Sequence, residues 1–194
     1  MISAQLKMLH IQTPLYRYEN LEKIYDSIPK HEDIRWHISK IKSRETPDSH
    51  IWDDKRVILY DIDCEDKDTV TKRNTAFANM KEGWFHMLDD DTTFNSNMYN
   101  TYLQIKDAKF KGMIIGNQNN HNGKLRLFPT FPRSGYIDTG NVLCHTFVLD
   151  RVQWMPSDKD PRDYIFWKNC YEIVGIQNVF MIYIPISNYN MLRS

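Results

Sequence analysis

The chain has 194 residues, 41% of them apolar and 13% aromatic, enough to bury a sizeable core and too apolar for a disordered chain. Lys and Arg number 25 and Asp and Glu number 25, so the formal charge is zero; a chain built to grip a nucleic-acid backbone is usually basic, and none is expected as a partner. The three cysteines, Cys64, Cys144 and Cys170, lack zinc-finger spacing and read as reduced thiols. No signal peptide is seen in "MISAQLKMLHIQTP", and the longest apolar stretch, near "NVFMIYIPI", falls short of the ~20 residues of a membrane helix. The expectation is a cytoplasmic, soluble chain with no integral membrane segment.

In chain order, "LKMLHIQ" reads as a buried strand closed by Thr13-Pro14. "YENLEKIYDSI" places Leu21, Ile24, Tyr25 and Ile28 at helical spacing. "IRWHISKI" alternates Ile34, Trp36 and Ile38, a strand with one buried face, and "RVILYDI" is another strand. "DKDTVTKRNTAFANM" is a helix with Asp66 or Asp68 as its cap. "GWFHML" is a strand that runs straight into Asp89-Asp90-Asp91. Asn95 caps a helix through "NMYNTYLQIKDA". "FKGMIIGN" and "KLRLF" are strands flanking an Asn122-Gly123 turn; "NVLCHTFVL" is a strand, "PRDYIFWKNCYEIVG" a helix ending at Gly175, and "NVFMIYIP" a last strand.

Alternating strands and helices predict a three-layer α/β sandwich with a mostly parallel central sheet. The expected organisation is one domain, 1–194, with a first half to about residue 100 and a strand- and loop-rich second half. Ligands of open α/β sheets collect outside the carboxyl ends of the strands, where "TPLYR" and "DDDTT" both fall.

On an extended segment alternate residues point the same way, so Asp89 and Asp91 are able to share one cation while Asp90 faces elsewhere. Mg²⁺ and Mn²⁺ favour such carboxylates and complete their shell with substrate phosphates. The competing reading is a solvated acidic turn before the next helix. His10, His86 and His145 sit in apolar strands and read as buried, hydrogen-bonded histidines; His121 falls in a wet hairpin tip. Trp84, Trp154 and Trp167 read as core. Lys72, Arg73 and Arg133 are candidates for phosphate contact, with a solvated helix or loop charge the default for Lys72 and Arg133.

Several segments together resemble compact glycosyltransferases of the GT-A fold, the class carrying a D-x-D motif, small versions of which occur in bacteria and large DNA viruses. They are "HIQTPLYRYENLEKIYDSI", "IRWHI", "TKRNTAFANMKEGWFHMLDDDTTF", "SGYIDTGNVLCHTFVL" and "DPRDYIFWKNCYEIVG". The resemblance implies a nucleotide-diphosphate sugar donor (a UDP-sugar first), a carbohydrate acceptor, and Mn²⁺ or Mg²⁺. It implies a metal bound by Asp91 and Asp89, nucleotide contacts from Thr13, Pro14, Arg17, Arg73, Asn74, Asp89 and Asp90, and a catalytic base at Asp163, with Asp160 and Asp138 behind it. Asp163 is equally placed for a helix cap or first-turn acid.

Two departures bear on this reading. Where many such enzymes end the second strand with a base-binding aspartate, this chain has Ile38-Ser39-Lys40-Ile41; and no histidine follows His145 to serve as a further metal ligand, leaving water or a residue such as Asn188. The rival enzyme reading is a phosphohydrolase of the haloacid-dehalogenase type, with Asp89 as nucleophile and Asp91 as acid/base. A sugar nucleotidyltransferase lacks support because "IQTPLYRYEN" has no glycine-rich loop. The non-enzyme reading is a GT-A-like domain that binds a sugar or a partner.

Overall fold

The computed structural model describes residues 7–157 and 161–192. Its centre is an eight-stranded sheet with four helices. Strand β1 (Met8–Pro14) is flanked by β2 (Ile34–Ile41) and β4 (Gly83–Met87), with β3 (Val57–Ile62) outside β2, all four parallel. The sheet continues through β7 (Val142–His145), antiparallel to β4, then β5 (Met113–Asn120), which pairs β6 (Leu125–Leu127) antiparallel and β8 (Val179–Tyr189) parallel. Six strands thus run one way, giving the mostly parallel three-layer sandwich expected from the alternation of elements.

The two faces are separated by the strand period. In β4, Trp84 joins Leu9 and Ile11 on the face covered by α1 (Leu21–Ser27) and α3 (Ser96–Ile105). Phe85 and Met87 point the other way, toward α2 (Thr69–Phe77) and α4 (Arg162–Val174). Both faces being covered explains why β2, expected to bury one face, buries almost every side chain, including His37, Ser39 and Lys40. Lys40 is compensated by Asp61 at 2.6 Å and by the Arg44 carbonyl at 2.8 Å.

Local signals placed the helix ends. Asp68 caps α2 by accepting the Thr71 N–H, and Asn95 caps α3 through the Asn97 N–H. Gly175, at φ +76°, ends α4 and donates its N–H to the Tyr171 carbonyl. Gly83 starts β4, where a Cβ would lie 2.2 Å from the Met8 carbonyl oxygen, so only glycine lets β4 approach β1. Two strands differ from expectation. β7 stops at His145 because the Thr146 hydroxyl takes the Gly83 N–H and His145 Nδ1 takes the Phe147 N–H, turning the chain into a 3₁₀ segment. β8 runs on past Pro185 to Tyr189, where the Thr92 hydroxyl donates to the Asn188 carbonyl.

His10, His86 and His145 are buried, as are Trp84, Trp154 and Trp167. His10 Nδ1 shares a hydrogen bond with His37 Nε2, and His37 Nδ1 another with the Tyr60 hydroxyl, each at 2.9 Å. Burial lowers the His10, His86 and His145 imidazoles to about 4 and His37 to about 3. They are neutral in the fold, whereas in the unfolded chain they protonate near pH 6.5. The unfolded state therefore binds more protons below that pH, and stability is lost as the pH falls from about 6.5 toward 4. The melting temperature should drop steadily across that window and hold above it. A flat profile from pH 7 to 4.5 would contradict this account of the polar interior.

Candidate active site

The carboxyl ends of β1 and β4 lie side by side, because the two strands pair in parallel from Met8 opposite Gly83 to Gln12 opposite Met87. The segments leaving them form a cleft of about 360 Å³ lined by Pro14, Tyr16, Arg17, Lys67, Thr69, Arg73, Asp89, Asp90 and Asp91. Six of these belong to the residues singled out in the sequence: Pro14, Arg17, Arg73 and the three aspartates.

Three like charges in a row are tolerated because each carboxylate has its own surroundings. Asp90 is buried, and its Oδ2 accepts the backbone N–H groups of Tyr16 and Arg17, each at 2.6 Å. Its Oδ1 accepts from the Arg17 guanidinium at 2.6 Å, and Asn20 donates to its carbonyl. Asp90 therefore clamps the turn after β1 onto the end of β4. Asp89 points to the other side. Arg73 donates to its Oδ1 at 2.7 Å and the Thr139 hydroxyl to its Oδ2 at 2.9 Å, yet the side chain stays 41% exposed to the cleft. Asp91 lies 3.6 Å from the Arg17 guanidinium, and its carbonyl accepts the Leu192 N–H.

The cations are equally fixed. Arg73 is buried, also donates to the Gln12 side chain at 2.7 Å, and stacks 4.5 Å over the Trp154 ring. Asn74 exchanges two hydrogen bonds with the Trp154 backbone, so it holds that ring over Arg73 rather than lining the cleft. Thr13 is fully buried and accepts the Trp36 indole N–H. Lys72, expected in solvent, is buried too: its ammonium donates to the Leu15 and Asp66 carbonyls and sits 3.6 Å under the Tyr16 ring. The Tyr16 hydroxyl pairs with Thr69 at 2.8 Å, which fixes the ring at the cleft wall. Arg133 lies in an exposed loop, stacked on Tyr136.

Asp163 opens α4, and burial pushes its carboxyl up to about 7, with Asp138 and Asp89 adding repulsion and Arg73 and Arg126 offsetting part of it. It is thus within electrostatic reach of the acid cluster. Asp138 is held by Arg126 at 2.9 Å, by Gln118 and by the Gly140 N–H, and its carbonyl takes the Trp167 indole N–H from α4. The turn at Asp138–Asn141 therefore joins Asp89, through Thr139, to the helix that carries Asp163. Asp160 lies outside the described residues. Asn188 accepts from Asn95 at 3.4 Å.

Tyr16, Lys67 and Thr69 line the cleft and Thr139 binds Asp89, and sequence reasoning singled out none of the four. The signal for Tyr16 was its place inside "TPLYR"; that for Lys67 and Thr69 was a helix start at the same sheet edge. Nothing local marked Thr139. Among the described residues no group of three His, Cys, Asp or Glu side chains is arranged to hold a metal. Asp89 and Asp91 both line the cleft, Asp89 with its oxygens hydrogen-bonded to Arg73 and Thr139 and Asp91 largely buried; a hard cation bound through them would replace one of those contacts and complete its shell with water and phosphate oxygens.

No family model and no curated protein matches the sequence. Solved structures do match in fold. The crystal structure of S. aureus TarS superposes with a TM-score of 0.71 at 14% identity, covering 94% of this chain and 36% of that one. TarS 1–349 in complex with UDP-GlcNAc gives 0.66 at 13% identity over 96% of this chain and 61% of that one; the complex with UDP gives 0.67 at 14%, over 90% and 57%. The chain therefore shares the fold of a glycosyltransferase, and spans about a third to three fifths of the length of these structures.

Asp90→Ala leaves two half-buried backbone N–H groups and a guanidinium without their acceptor. Stability should fall by about 2–3 kcal/mol in a urea titration. An unchanged midpoint would show that the turn after β1 does not depend on this carboxylate.

Proposed function

We propose that this chain is a metal-dependent glycosyltransferase that moves a sugar from a nucleotide-diphosphate donor to a hydroxyl of a carbohydrate acceptor, with inversion at the transferred carbon. The observation that carries the proposal is the cleft itself. Two carboxylates, Asp89 and Asp91, stand with Arg17, Arg73 and Lys67 around one opening at the carboxyl edge of the sheet. A diphosphate meets both kinds of partner there: cations directly, and carboxylates through a divalent ion. TarS, which has the same fold, is solved with UDP-GlcNAc and with UDP, so UDP-sugars are the first donors to test.

The residues divide the work as follows. Arg17 and Arg73, locked by Asp90, Gln12 and Asp89, present charge where the diphosphate gains it as the glycosidic bond breaks, with little reorganisation. A Mn²⁺ or Mg²⁺ held by Asp89 and Asp91 would add Lewis-acid stabilisation of the departing diphosphate. Asp163 accepts the proton of the attacking hydroxyl. A carboxyl near 7 is well matched to that task at neutral pH, and a base acting from the side opposite the leaving group would make the displacement single and inverting. The fold shared with TarS, which is solved with UDP-GlcNAc and with UDP, supports this reading over the phosphohydrolase one.

Isothermal titration with UDP-, GDP-, TDP- and CMP-sugars, with and without Mn²⁺, is the direct test. One carrier should bind in a Mn²⁺-dependent manner, and Asp91→Ala should weaken it at least about tenfold, 1.4 kcal/mol. Binding of none would leave the fold serving as a sugar- or partner-binding domain. Asp163→Asn should keep donor binding and lose transfer by about 10²-fold or more. The base must be ionised, so kcat/KM should rise with pH through about 7, and lower when a cation on Asp89 relieves its repulsion. Unimpaired transfer by Asp163→Asn would remove it from the mechanism.

A further inference from the structure

Between β6 and the Asp138 turn runs a loop, "FPTFPRSGYI", from Phe128 to Ile137. Its two ends are tied together, since Arg126 on one side pairs with Asp138 on the other at 2.9 Å. Compact surface loops with joined ends are frequently functional. Pro129 and Pro132 fix φ within it, and Gly135, at φ +78°, lets the chain turn so that the Tyr136 N–H reaches the Arg133 carbonyl at 3.0 Å. Ile137 anchors the far end in the core. On this stiffened frame three rings are left to water: Phe128 is 64% exposed, Tyr136 51% and Phe131 43%.

The loop has a direction. Asp163, Trp167 and Tyr171 are four residues apart on α4 and so share one face. Phe131 packs edge-on against Tyr171, with ring centroids 5.6 Å apart, and the Asp138 carbonyl accepts the Trp167 indole N–H at 3.2 Å. From Phe131 to Asp138 the contacts therefore step along α4 toward its first turn, where Asp163 sits, and Thr139 then reaches Asp89 at 2.9 Å. The helix covers about 12 Å between Tyr171 and Asp163. Tyr136 is two residues from Asp138, at most about 7 Å along the chain. A row of exposed rings thus ends at the carboxylates proposed for transfer.

We infer that this loop is a track for the acceptor: a glycan of several sugar residues lies along it, stacked on Phe128 and Tyr136, with one of its hydroxyls delivered to Asp163. The inference rests on the transferase reading and adds the acceptor's class, an extended saccharide chain rather than a single sugar. The side chains favour a saccharide over an apolar partner. A pyranose presents weakly positive C–H groups on its faces, which suit the negative face of an aromatic ring. Its hydroxyls need polar partners next to that ring, and Thr130, Ser134 and the Arg133 guanidinium, stacked 4.9 Å from the Tyr136 ring centre, stand between the aromatic residues. An apolar surface docked there would instead strip water from that guanidinium without replacing its hydrogen bonds. The prolines and the Arg126–Asp138 tie keep the ordering cost of binding low. Length argues for several residues, because the stretch of α4 from Asp163 to the Phe131–Tyr171 contact, about 12 Å, exceeds one sugar ring.

Saturation-transfer difference NMR with cello-, chito-, manno- and maltohexaose, each against its own monosaccharide, tests the track. At least one hexasaccharide should bind about tenfold more tightly than its monosaccharide, or better. Phe128→Ala and Tyr136→Ala should each weaken that binding about three- to tenfold. Both side chains are exposed and outside the cleft, so the melting temperature and the Mn²⁺-dependent titration with nucleotide-sugar should match the wild type. Hexasaccharides held no better than monosaccharides overturn the inference, as does binding that both folded variants keep. So does a dimer in sedimentation velocity that either variant dissolves, which would make the loop a contact between copies. The two readings fail separately. A wild-type chain that takes a hexasaccharide but no nucleotide loses the transferase and keeps the track; one that takes nucleotide-sugar but no hexasaccharide loses the track alone.

Discussion

The arrangement of the cleft depends on one buried carboxylate. Asp90 accepts two adjacent backbone N–H groups and a guanidinium from the turn after β1, and so fastens the ends of two neighbouring parallel strands. A buried carboxylate is costly without partners and favourable with several charge-assisted ones. Because the turn donates both its N–H groups to Asp90, Arg17 has one place to go, and Pro14 and Tyr16 form one wall of the cleft. Lys72 reinforces the same wall from beneath, donating to Leu15 and sitting under Tyr16.

The acid cluster is a turn and not the extended segment expected, with the Thr92 N–H donating to the Asp89 carbonyl; Asp90 is turned inward, and Asp89 and Asp91 also line the opening. Their repulsion is managed by separate cations, Arg73 for Asp89 and Arg17 for Asp91. Those cations are themselves held: Arg73 by Gln12 and the Trp154 ring, Arg17 by Asp90. The result is a set of fixed charges of both signs around one volume. Asp163 feels the same set from α4, and its raised carboxyl follows from burial beside Asp138 and Asp89.

Much of the scaffold was legible because it is written in local terms. The apolar runs of β1, β3 and β4 have strand length, the apolar residues of α1 have helical spacing, and Asp68, Asn95 and Gly175 are caps that act on their own neighbours. The acid cluster was legible as a candidate site because it falls at a strand end on the carboxyl edge of the sheet, and the structure puts all three carboxylates in the lining of one cleft. What was not legible is what depends on contacts distant in sequence. Asp90 meets residues more than seventy positions away, and Thr139 meets Asp89 across fifty. Lys72 looked like a solvated helix charge, since nothing in "TKRN" announces that the Leu15 and Asp66 carbonyls converge on its ammonium. Thr13 and Asn74 show the converse: they belong to segments that resemble a nucleotide pocket, and their side chains hold Trp36 and Trp154 in place. β7 ended early because a threonine hydroxyl bound another strand's backbone, which no strand pattern encodes.

The central claim is that the opening between the β1 turn and the acid cluster takes a divalent ion and a nucleoside diphosphate together. Paramagnetic broadening by Mn²⁺ in ¹⁵N-resolved spectra, with and without UDP, tests it at residue level. The account predicts that, with UDP present, the amide signals of Tyr16, Arg17 and Asp89 to Thr92 broaden first, while those of β8 near Tyr183 stay sharp. Broadening centred elsewhere, or none at any nucleotide concentration, would contradict it.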